Sequence, residues 1–75
     1  MNRFPQRFPT PETAMIDALR RLIIFKESFV VLRKYGVPAS FCVVSQKEWK
    51  KRSFQQSDYE CEYVVYPNGR WYQIN

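Results

Sequence analysis

Apolar positions recur along residues 11–35 with the spacing of a helix. Met15, Ala18, Leu22, Phe25, Phe29 and Leu32 follow one another at alternating steps of three and four, which stacks them on one face. Thr10-Pro11-Glu12 supplies a start: a hydroxyl able to cap, a proline whose missing N–H is not needed in the first turn, and an acid favoured by the helix dipole. Arg33 and Lys34 suit the negative end of that dipole, Gly36 fits a left-handed cap, and Pro38 forbids continuation. The pattern predicts one helix from Pro11 to Tyr35, roughly 37 Å long at about 1.5 Å per residue. A second stripe, Ile16, Leu19, Ile23 and Val30, lies beside the first, and Ile24, Val31 and Tyr35 lie nearly opposite it. Such a helix is apolar almost all round. The run Phe29-Val30-Val31-Leu32 also permits a strand, which would end the helix near Phe25 and make Lys26-Glu27-Ser28 a turn. The unbroken three-four spacing favours the longer helix.

Beyond Pro38 the apolar pattern changes to that of strands. Ser40-Phe41-Cys42-Val43-Val44-Ser45 reads as a buried first strand, and Gln46 to Arg52 as its exposed continuation or a single helical turn. Ser53 to Ser57 is a polar connection. Tyr59, Cys61, Tyr63 and Val65 alternate with Glu60, Glu62, Val64 and Tyr66, and Pro67-Asn68-Gly69 then turns the chain into Arg70-Trp71-Tyr72-Gln73-Ile74 as a hairpin. The predicted fold is α+β: one long N-terminal helix packed on a three-stranded antiparallel sheet, in the order αβββ. Residues 1–10 form an extended, proline-containing arm, and 11–75 a single domain. The arm repeats a pattern, Asn2-Arg3-Phe4-Pro5 and Gln6-Arg7-Phe8-Pro9, and each proline pushes the residue before it out of the helical region. Phe4 and Phe8 either fold back over the core, or the arm grips a partner.

Length limits what this pattern can bury. A domain of 75 residues removes only about 60 to 65% of its chain's surface from water, so the core is thin. Apolar residues at 45% and aromatics at 17% are too many for a disordered chain, and large side chains supply much of the core. One small sheet covers one side of an all-round apolar helix. The arm, or a second copy in a homodimer through the helix, is expected to cover the rest. No stretch reaches the roughly 18 apolar residues of a membrane span, and the N-terminus lacks a secretory pattern, so no membrane partner and a cytoplasmic location are expected.

The chain has two cysteines and no histidine. Cys42 and Cys61 fall in apolar runs and are expected to be buried thiols, with no metal and no cofactor. Without histidine the usual general base at neutral pH is missing, and Asp58, Glu60 and Glu62 read as solvated acids. The only glycines, Gly36 and Gly69, serve as cap and turn, which leaves no phosphate-cradling loop. An enzyme is therefore not expected.

Binding is the remaining class. The net charge is +5, yet residues 58–75 carry one positive and three negative charges, so the basic character lies in the front and middle. Lys47, Trp49, Lys50, Lys51 and Arg52 form the densest basic stretch, with an aromatic able either to stack on a base or to plug the core edge. With Arg3 and Arg7 they predict contact with nucleic acid or a nucleoprotein complex. The alternative is a small phage- or mobile-element-type inhibitor or adaptor that docks on a larger protein complex. Its anchors would be the spare helix face, Ile16, Leu19, Ile23 and Val30, and the hairpin residues Tyr66, Arg70, Trp71 and Tyr72. No RNP aromatic pair, GXXG clamp, zinc-finger spacing or helix-turn-helix is present.

Overall fold

Thr10 begins the first helix as the sequence predicts. In the computed structural model, which describes residues 6–51 and 58–74, the Thr10 side chain accepts a hydrogen bond from the Thr13 N–H at 3.2 Å. Helix α1 runs from Pro11 to Phe25 and stops there. Lys26 takes the left-handed conformation, φ 54° and ψ 40°, and its N–H donates to the Leu22 carbonyl at 2.8 Å. The chain then turns and enters strand β1, Phe29–Lys34. The helix to Tyr35 is thus corrected, and the strand reading of Phe29-Val30-Val31-Leu32 is the one adopted.

Burial explains why. A helix through this segment would turn apolar side chains in every direction, and one sheet can cover only one of them. As a central strand, β1 sends Phe29 and Val31 to one side and Val30 and Leu32 to the other, and all four are buried. Val30 and Val31 lose little by extending, because their branched side chains already favour strand rotamers.

Strands β2 (Ser40–Ser45), β3 (Tyr59–Val65) and β4 (Trp71–Gln73) complete an antiparallel sheet in the order β2-β1-β3-β4. The sheet has four strands where three were expected, because β1 was hidden in the helical spacing. Both β2 and β3 run antiparallel to β1, so they are parallel to each other with β1 between them. Between β2 and β3 lies helix α2, Gln46–Lys50, the single helical turn the sequence allowed. Ser45 caps it by accepting the Glu48 N–H at 3.1 Å. The chain closes with the expected hairpin: Tyr66 donates to Arg70 and accepts from Gly69, whose φ of 85° meets the demand of that turn.

The two sheet faces have separate cores. On one, Ala14, Ala18 and Leu22 of α1 meet Phe29, Val31, Val43 and Val65, with Phe8, Met15, Leu19, Phe41 and Tyr63 packed around them. On the other, Val30, Leu32, Cys42, Val44 and Val64 lie under Trp49 of α2, with Tyr59, Cys61 and Tyr66 alongside. The simple alternation expected in β3 does not persist. Val31 pairs with Tyr63 but Leu32 with Cys61, so Glu62 is an extra residue that forms a β-bulge. This bulge puts Tyr59 and Cys61 on the α2 side, while Tyr63 and Val65 face α1.

The arm folds back at Phe8, whose backbone exchanges two hydrogen bonds with Phe41, 2.7 and 2.9 Å, along the β2 edge. Phe4 and the connection Ser53 to Ser57 lie outside the described residues.

Candidate functional site

Helix α2 presents its cations outward because Trp49 points inward. Over its five residues, turning about 100° each, Lys47 falls opposite Trp49 and Lys50 lies on the flank, while Lys51 follows as the C-cap. All three lysines are exposed, and Trp49 is half-buried against the cluster of Val30, Leu32, Cys42, Val44 and Val64. Of the two roles open to Trp49, stacking on a base or plugging the core edge, this packing favours the second. Its ring closes the α2-side core.

Two further cations reach the same side from elsewhere in the chain. Arg7 is exposed on the arm, and Lys34 ends β1 with its Nζ 5.9 Å above the centre of the Tyr59 ring. Both act electrostatically on the Cys42 thiol, and Cys42 and Tyr59 belong to the α2-side cluster. None of the five cations belongs to the ion pairs Arg21–Asp17, 2.7 Å, or Arg33–Glu62, 3.7 Å. Arg3 and Arg52 lie outside the described residues. Sequence reading missed Lys34 because it was placed at a helix end. The β-branched run before it was the signal that could have found it, since a strand there sends Lys34 to the same face as Leu32 once the alternation is followed.

The polar surroundings of α2 include a depression of about 250 Å³ lined by Glu27, Ser28, Gln46, Lys47 and Lys50. It forms because Gln46 donates its N–H to the Ser28 carbonyl at 3.0 Å, tying the start of α2 to the turn before β1.

The residues expected at a protein interface separate into three groups. Val30 is corrected: it is 2% exposed and belongs to the core, since a central strand leaves it no route to the surface. Leu19 and Tyr66 are half-buried against the two cores. Ile16, Ile23, Trp71 and Tyr72 are exposed, and so is Arg70. Trp71 meets Tyr63 edge-on, with ring centres 5.8 Å apart, and Tyr72 meets Tyr66 in the same way on the opposite face. Between α1 and β4 lies a trough of about 340 Å³, lined by Pro11, Glu12, Met15, Ile16, Tyr63 and Trp71.

The cysteines are unsuited to chemistry. Burial pushes the Cys42 thiol up to about 11, more than Arg7 and Lys34 lower it, and burial followed by the Glu62 charge raises that of Cys61. Both are free thiols, protonated near neutral pH, and a thiol in that state is a poor nucleophile. Among the described residues no group of three His, Cys, Asp or Glu side chains could hold a metal ion, and no helix is long and apolar enough to cross a membrane. No family model matches the chain, and neither a curated protein nor a solved structure matches it.

Proposed function

We propose that this protein is a non-enzymatic binding module whose α2-side face contacts nucleic acid, alone or within a nucleoprotein complex. The observation that carries this reading is that cations from three separate parts of the chain share one side of the sheet, Arg7 and Lys34 toward one end of it and Lys47, Lys50 and Lys51 of α2 at the other. Lysines act on phosphate as point charges, and with Trp49 turned inward this face offers no large aromatic from α2 for stacking on bases. Backbone contacts of that kind position a protein without reading sequence. The expected binding is therefore strongly salt-dependent and nearly indifferent to sequence.

If Lys47, Lys50 and Lys51 each neutralise one phosphate of duplex DNA, replacing all three by alanine lowers the slope of log affinity against log salt by about 2.7. Fluorescence anisotropy with labelled duplexes and single strands at several salt concentrations measures this. Equal affinity of the triple variant and the parent would sink the proposal. The three side chains are exposed, so the substitutions leave the core intact.

A second reading, a small inhibitor or adaptor that docks on a larger protein, draws on the exposed Trp71 and Tyr72 of edge strand β4. Aromatics of this kind anchor interfaces when a partner desolvates them. Capture of a protein partner that persists after nuclease treatment and is lost with Trp71→Ala favours it over nucleic-acid contact.

A further inference from the structure

Helix α1 leaves the β4 edge of its own sheet face uncovered. A helix about 10 Å across covers roughly two strands spaced about 4.8 Å apart. Here α1 packs mainly over β1 and β2, so beyond the buried Val65 the α1 side of β3 and β4 carries the trough lined by Tyr63 and Trp71. A second helix is the element that would complete this layer, and among the described residues the chain supplies none on that side.

The outward ridge of α1 indicates whose helix it is. Glu12, Ile16 and Arg20 recur every four residues on one line of the helix, and all three are exposed, Ile16 to 55%. Arg20 has no part in the neighbouring ion pair, which joins Arg21 to Asp17. Ile23, 73% exposed, extends the ridge by another turn. The order along the line is acid, isoleucine, base. Set antiparallel against a copy of itself, this ridge matches its own charges: with a two-fold axis at Ile16, each Glu12 faces the Arg20 of the other copy, and the two Ile16 side chains meet on the axis. Parallel pairing would instead oppose like residues along the whole line.

We infer that the protein forms a two-fold homodimer through antiparallel packing of its α1 helices along the Glu12–Ile16–Arg20 ridge. Each copy's helix lies beside the open trough of the other, where Met15, Ile16 and Trp71 add apolar surface. The interface is isologous, as a two-fold contact between identical surfaces must be. It lies on the sheet side opposite the cations, so both basic faces stay exposed in the dimer, and the inference stands whether or not those faces bind nucleic acid.

Sedimentation equilibrium of the full chain tests it. The parent protein should be a dimer with a dissociation constant below about 100 μM. Arg20→Glu alone, and Glu12→Arg alone, each place like charges against each other at two symmetric positions and should weaken the dimer by more than about tenfold. The double variant, Glu12→Arg with Arg20→Glu, restores opposite charges in the same places and should recover association to within about threefold of the parent. Ile16→Glu should give a monomer that keeps the parent's circular dichroism. A parent that stays monomeric at about 100 μM overturns the inference, as does a dimer untouched by the single charge reversals. So does a double variant no better than the singles, a result that also decides the matter should Ile16→Glu fail to fold.

Discussion

The two faces of the sheet are closed by opposite means. On the α1 side, Ala14 and Ala18 are wholly buried, and these small residues let the helix lie close against Phe29, Val31 and Val65. On the α2 side a helix of only five residues covers the strands through Trp49, and the half-buried rings of Tyr59 and Tyr66 span what it cannot reach. Close packing of small residues leaves no room for added volume, whereas a roof of large side chains fails when a piece beneath it is removed. The same difference divides the surfaces. The long helix projects a ridge suited to another helix, and the short one projects lysines.

The largest expected effect lies on the α2 side. Leu32 is 0% exposed at the centre of that core, so Leu32→Ala should cost about 2 to 5 kcal/mol, as buried Leu→Ala changes do. Small domains are stable by about 5 kcal/mol, so this variant should keep only about 0 to 3 kcal/mol at room temperature, as urea titration will reveal. A loss below 1 kcal/mol would mean that the rings collapse into the cavity and that this face is softer than its burial suggests.

Next is a dependence on pH that belongs to the same face. The buried Cys42 thiol is held at about 11, above its ordinary value near 9, because burial disfavours the thiolate. The unfolded chain therefore loses this proton before the folded one does. The stabilising contribution is complete below about pH 9 and disappears as pH rises toward 11, a change of about 2 to 3 kcal/mol at 1.36 kcal/mol per unit. Denaturant unfolding at pH 8 and pH 11 measures it, and Cys42→Ala should lose that part of the pH dependence. An unchanged profile in Cys42→Ala would trace the alkaline loss to other groups.

The α1 side should respond in the contrary sense, to enlargement. Ala18→Leu adds volume where the helix touches the strands and should cost about 1 to 3 kcal/mol through overpacking. Thermal unfolding reads this directly. A neutral result would show that α1 can ride outward, and the contrast between the two faces would then vanish.

Local signals carried much of this fold. Thr10-Pro11-Glu12 marked the start of α1, Pro67-Asn68-Gly69 marked the hairpin, and the apolar run from Phe41 to Val44 marked β2. Each depends on interactions within a few residues, which a linear chain displays. The candidate basic face was legible in part, since Lys47, Lys50 and Lys51 are neighbours in sequence and Arg7 stood out on the arm. Lys34 was not legible and the inward turn of Trp49 was legible only as one of two alternatives, because each depends on which strand lies beside which.

By itself the sequence determined an α+β chain with a capped helix, a terminal hairpin and a basic middle. Only the tertiary structure decided that residues 29–34 are a strand, since the three-four spacing of Phe25, Phe29 and Leu32 satisfies a helix equally well. The deciding term was burial on two sides at once. As the central strand, Phe29, Val30, Val31 and Leu32 leave water together, with α1 covering one pair and α2 the other. A single helix had no second layer to offer them.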